Sequence, residues 1–165
     1  MKMKIMVFTE GTIIMHASAK NKKREEIVEQ SRRREPSTRD CANYIPVKNA
    51  VDKLNKWKSQ KAEILYLTSR RKPEQVKDIK SVLKRYKFPE GRLLFRKENE
   101  DYKDIPERVT PDILVEDDCE SIEGVDEMTI THVRLEIKKK IKSVVVREFE
   151  GIDHLPDDVN DLQNY

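Results

Sequence analysis

The chain has 165 residues, 36% hydrophobic and 39% charged, enough for one domain with a lean core and a heavily charged surface. Its 34 basic and 31 acidic residues leave a net charge of only +3, which makes no general claim for nucleic acid or a membrane surface, and four glycines exclude a glycine-rich phosphate loop. No apolar run approaches a membrane span, no signal peptide is expected, and the distant Cys41 and Cys119 fit neither a disulfide framework nor a metal spacing, so reduced thiols in a cytoplasmic protein are expected.

Ile5, Met6, Val7 and Phe8 form a short continuous apolar run, the pattern of a strand buried on both faces of a parallel sheet, and it stops at a Thr9-Glu10-Gly11-Thr12 turn. Residues 13–18 leave the sheet. Residues 19–35 read as an exposed helix with sparse apolar positions, chiefly Ile27 and Val28, broken by Pro36. Two basic clusters, 20–24 and Arg32-Arg33-Arg34, offer contacts to phosphate or nucleic acid, but the interspersed Glu25, Glu26, Glu29 and Glu35 argue for internal ion pairing. From Pro46 an amphipathic helix is expected, with Val47, Ala50, Val51, Leu54 and Trp57 facing the sheet. A second strand, Glu63–Leu67, closes at Thr68-Ser69-Arg70-Arg71, and Pro73 opens a helix whose stripe is Val76, Ile79, Leu83 and Tyr86. A third strand over 92–95 leads into a polar loop, 97–104, and a short helix, Asp104–Val109.

Ile113-Leu114-Val115 then runs into Glu116-Asp117-Asp118. Three consecutive carboxylates repel one another and need a cation or hydrogen-bond donors, and their hard oxygens suit Mg²⁺. Residues 128–131 read as a further strand, 136–142 as a basic helical stretch, 143–146 as the last strand, and 157–165 as a polar, acidic, frayed tail. His16, His132 and His154 have no ligand spacing among them. Several apolar runs thus end in polar groups, and an open α/β sheet brings such ends together in the crevice beyond its strands.

The order of a strand ending in Glu-Gly-Thr, a strand ending in Thr-Ser-Arg, a downstream lysine and Pro111-Asp-Ile-Leu-Val-Glu-Asp-Asp118 resembles the haloacid dehalogenase superfamily, over roughly residues 2–12 and 45–150. The resemblance implies a three-layer, Rossmann-like α/β domain over 1–156 with a mostly parallel sheet of five or six strands. It also implies a minimal cap at 13–44, for which a solvated helix without a ligand role is the alternative. Members are mostly Mg²⁺-dependent phosphatases and phosphotransferases. By the family's pattern Thr68, with Ser69 behind it, binds the phosphoryl group, although Ser69 also suits a helix N-cap. Lys103, in competition with Lys97, neutralises phosphate charge, although either reads equally as a surface ammonium. Asp117, Asp118 and Glu10 contribute to a Mg²⁺ shell, although Asp118 also suits backbone capping of the next loop.

One departure outweighs these matches. The family's first motif, set on Gly11 and Thr12, puts Glu10 at the second acidic position, that of an acid or base, and Phe8 at the nucleophile. A phenyl ring cannot attack phosphorus. The expectation is therefore a catalytically degenerate member that binds a phosphorylated small molecule, nucleotide or partner without turnover. The alternative is an active Mg²⁺-dependent hydrolase in which Glu10 directs a water; a third is a nucleic-acid or protein adaptor using residues 20–34.

Overall fold

Ile5, Met6 and Val7 are completely buried, and the reason is their place in the sheet. In the computed structural model, which describes residues 2–165, β1 (Lys4–Phe8) is the middle strand of five. After β1 come the two-residue strands β2 (Ile14–Met15) and β3 (Ile45–Pro46), and then β4 (Glu63–Leu67), β5 (Arg92–Leu94), β6 (Ile113–Asp117) and β7 (Lys142–Val146). The large sheet runs in the order β5-β4-β1-β6-β7 and all its pairings are parallel. The chain builds outward from β1 to β5 on one side and then crosses to β6 and β7 on the other. The carboxyl end of β1 is therefore a topological switch point, where such folds open a crevice.

Alternation along the strands divides the core in two. Ile5, Val7, Ile64, Tyr66, Ile113 and Val115 face the helices α2 (Ala50–Ser59) and α3 (Pro73–Arg85), burying Leu54, Trp57, Ile79 and Val82. Met6, Leu65, Leu67 and Leu114 face the other way, against Ile105 of α4 (Asp104–Val109), Met128, Ile130, Val133 and Ile141. This is the expected three-layer, Rossmann-like α/β arrangement. Among the described residues no helix is long and apolar enough to cross a membrane, and both cysteines are buried free thiols.

Several elements differ from the sequence reading. The helical part of 19–35 is only α1 (Arg24–Arg32), which buries Ile27, Val28 and Gln30. Pro46 does not start a helix. It pairs antiparallel with Ile14, while Val47 donates to the Ile13 carbonyl (2.8 Å) and α2 begins only at Ala50. These contacts pin the two ends of the intervening segment together.

Residues 128–131 are not a strand either, because the Glu116 carboxylate accepts the Thr129 and Ile130 amides (2.7 and 3.0 Å). Those amides are unavailable to a ladder, and a 3₁₀ turn covers Ile130–His132. The basic stretch shrinks to α5 (Leu135–Lys138), and β7 starts at Lys142. Instead of a frayed tail, the last residues form α6 (Val159–Gln163), which buries Val159 and Leu162.

Candidate functional site

The turn after β1 is tight. The Thr9 carbonyl accepts the amides of Thr12, Ile13 and Ile14 (3.2, 3.0 and 3.1 Å). Gly11, at φ +84°, lies so close to the end of β6 that an added Cβ would sit 3.0 Å from Asp117 Oδ2 and 3.2 Å from Glu148 Cγ. The turn directs Glu10 toward the end of β4. There its carboxylate accepts from Thr68 Oγ1, from the Ser69 amide (3.1 Å) and from Ser69 Oγ (3.3 Å). Thr68 Oγ1 in turn accepts the Arg70 amide (3.1 Å).

The Arg70 guanidinium is held from the other side of the crevice. Its Nη2 donates to Tyr44 Oη (2.9 Å) and to the Thr38 carbonyl (3.3 Å), both in the segment between β2 and β3. Its Nε is buried and has no partner among the described residues.

The acidic side comes from β6 and β7. Asp117 accepts from Thr12 Oγ1 (2.8 Å) and the Cys119 amide (2.9 Å). Asp118 Oδ1 accepts the amides of Glu120 (3.3 Å) and Glu148 (3.1 Å), so it does cap local backbone. Glu148, two residues past β7, accepts from the Ser121 amide and Oγ (2.7 Å each). Asp117, Asp118 and Glu148 each offer a carboxylate oxygen, and these oxygens lie within 4.8 Å of one another. Burial pushes Asp117 up to about 6 and Glu148 up to about 7, and negative neighbours add to both shifts. Glu116 sits on the opposite face of β6, occupied by its two backbone amides.

A cleft of about 410 Å³ spans these strand ends. Phe8, Glu10, Ser69, Arg70, Asp117 and Glu148 line its sheet side. Ser31, Arg34, Thr38, Arg39 and Tyr44 line the opposite wall. The fold thus gathers Glu10, Thr68 and Ser69 at one end and Asp117 and Asp118 at the other. Glu10 is with the hydroxyls, apart from the acidic cluster. Lys103 stays at the start of α4, with Nζ 3.8 Å from Asp104, and Lys97 is exposed; neither lines the cleft. The Phe8 ring lines it and meets Tyr102 edge-on at 6.3 Å.

The basic segment is partly paired internally. Arg24 donates to the Glu148 carbonyl (2.9 Å) and bridges Glu120, and Arg33 meets Glu29 at 3.1 Å. The sequence reading missed Glu148 and the cleft-facing roles of Arg70 and Tyr44. The available signal was that β7, like its neighbours, ends in polar residues and runs parallel to β6.

No family model matches the sequence, and neither does any curated protein. Among solved structures the chain is similar to the class C acid phosphatase of Bacillus anthracis. A tungstate-bound crystal structure of that enzyme is 13% identical over 92% of this chain and 69% of that one, with a TM-score of 0.57. A second structure of it is 12% identical over 99% and 78%, with a TM-score of 0.59. At such identities the likeness is one of fold. The likeness agrees with the three-layer, Rossmann-like α/β fold implied by the motif order.

Proposed function

We propose that the chain binds a phosphorylated ligand together with a divalent cation in this cleft, and does so without a covalent catalytic cycle. The observation carrying this is the placement, across one crevice, of hydroxyl and amide donors at the end of β4 and three carboxylates at or just past the ends of β6 and β7. The donors suit a phosphoryl oxygen. The carboxylates suit a hard cation such as Mg²⁺. The donor set also fits by charge: a cation beside Asp117 and Glu148, held up to about 6 and about 7, would offset the cost of burying their charges and cancel their mutual repulsion. Asp117, Asp118 and Glu148 would hold it, and the ion would neutralise phosphate charge. Thr68 and Ser69 orient the phosphate, while the wall from Ser31 to Tyr44 limits solvent access.

Phe8 supports binding over turnover, because it stands where the superfamily has its nucleophile and presents only a phenyl ring to the cleft. The competing reading is hydrolysis by a directed water. It is favoured by Glu148, whose proton affinity near neutrality suits a general base. A phosphate-ester screen with and without Mg²⁺, run on wild type, Asp117→Ala and Phe8→Asp, separates them. Binding without turnover gives an inert wild type and activity in Phe8→Asp. Robust Mg²⁺-dependent wild-type turnover, abolished by Asp117→Ala, establishes the hydrolase instead.

A further inference from the structure

We infer that Glu10 is a built-in counter-anion, and that ligand binding is an exchange in which a dianionic phosphate displaces its carboxylate from a receptor formed by Thr68, Ser69 and Arg70. Resting on the phosphate-binding reading above, this gives Arg70 a part in holding the anion and sets the charge class of the ligand.

Three donors converge on the Glu10 carboxylate: Thr68 Oγ1, the Ser69 amide at 3.1 Å and Ser69 Oγ at 3.3 Å. A backbone N–H flanked by hydroxyls at a strand end is an oxyanion receptor, and here the chain fills it from within. Arg70 follows directly and is close enough for its charge to act on Glu10. Tyr44 and the Thr38 carbonyl fix one end of its guanidinium, so it cannot relax into solvent. Its buried Nε has no partner. A buried donor costs free energy until an acceptor reaches it. The single carboxylate of Glu10, engaged by Thr68 and Ser69, leaves that donor unmet.

A ligand carboxylate would replace Glu10 charge for charge, with no net gain. A phosphate monoester carries about −1.5 to −2 charges near neutral pH and adds a third oxygen. With more oxygens than a carboxylate, it can meet the Thr68–Ser69 donors and still offer one to Arg70 Nε, an N–H that the contacts to Tyr44 and Thr38 leave free. Glu10 itself is only partly buried, so its displaced carboxylate can move to solvent without stranding a charge in the core. The receptor therefore selects dianionic tetrahedral oxyanions over carboxylates, and Arg70, with Arg34 and Arg39 on the facing wall, supplies positive charge that Lys97 and Lys103 do not bring to the cleft.

Calorimetric titration of inorganic phosphate, with acetate as the carboxylate control, tests this on wild type, Glu10→Gln, Glu10→Ala, Arg70→Lys and Arg70→Ala, each checked for folding by circular dichroism. Both Glu10 variants are expected to bind phosphate about tenfold more tightly than wild type, the scale of one charge-assisted hydrogen bond. Arg70→Ala is expected to weaken binding about tenfold or more, Arg70→Lys to recover part of the loss, and acetate not to bind wild type. Wild-type phosphate binding that is unchanged or weakened in both Glu10 variants overturns the exchange while leaving the phosphate site standing. An absence of phosphate binding in every folded variant overturns the phosphate site and the exchange with it.

Discussion

At Gly11 the constraints on the site meet in one residue. Its φ of +84° belongs to the left-handed region, and its missing Cβ lets the turn after β1 rest against Asp117 and Glu148. Gly11→Ala adds both a conformational cost and a contact at 3.0 Å with a buried carboxylate oxygen. It is expected to destabilise the protein by about 1–3 kcal/mol in urea titrations, on the scale of a non-glycine residue held at positive φ. Glu10 and Phe8 flank that turn with opposite chemistry. One carries a carboxylate held by the donors at the end of β4; the other lays an aromatic edge on Tyr102. The Glu10-Gly11-Thr12 motif was legible because turn residues and polar strand ends are local signals. The partner of Gly11 across the site, Glu148, was not, because its relevance depends on β7 lying beside β6.

Among the elements, α6 departs furthest from what composition suggests. Its five residues are mostly polar, yet Val159 and Leu162 are buried and Asp158 caps the first turn by accepting the Asn160 amide (2.8 Å). The approach to it is tied to α2 through Trp57 Nε1, which donates to the Pro156 carbonyl (2.9 Å), and through Lys53 and Lys56, which both bridge Asp157. Leu162 is fully buried, so Leu162→Ala is expected to cost about 2–5 kcal/mol by chemical denaturation. The lone tryptophan, Trp57, should report the undocking as a red-shifted emission.

Hydrogen bonds from Lys53 and Lys56 hold the Asp157 carboxyl down at about 2. A depressed acid stabilises the fold above its unfolded value of about 4 and loses that contribution as pH falls toward about 2. The tryptophan emission should therefore begin to shift across that window, and Asp157→Asn should flatten the transition. Val159, Leu162 and a terminal Tyr165 are too few in a nine-residue polar stretch to give a clear periodic signal, which is why the helix was not readable beforehand. The same holds for residues 128–131, whose β-prone composition lost to a carboxylate reaching from β6 to claim their amides.

For the whole molecule, the sheet order puts the chemistry where it is. Because β1 separates the earlier strands from the later ones, the donors of β4 and the carboxylates at or just past the ends of β6 and β7 face one another across its end. The strands β1, β4 and β6 were legible as unbroken apolar runs, and with them the class of fold. The register that converts strand ends into a site is non-local and came only with the structure. A cation held by Asp117, Asp118 and Glu148 would favour the folded chain, since Glu148 joins the adjacent Asp117 and Asp118 only when β7 lies beside β6. Mg²⁺ at a hundred times its dissociation constant should then add about 2.7 kcal/mol of stability. The melting temperature should rise accordingly, fall back with a chelator, and stay unresponsive in Glu148→Gln.

The placement of β1 also bears on how the protein is made. Ile5 pairs with Ile64 on one side and with Ile113 on the other, so the apolar central strand emerges from the ribosome long before either neighbour exists. Contacts of such sequence separation form late, after their loops have closed. A nascent chain thus carries residues 4–8 as an open, aggregation-prone edge until β6 has been synthesised.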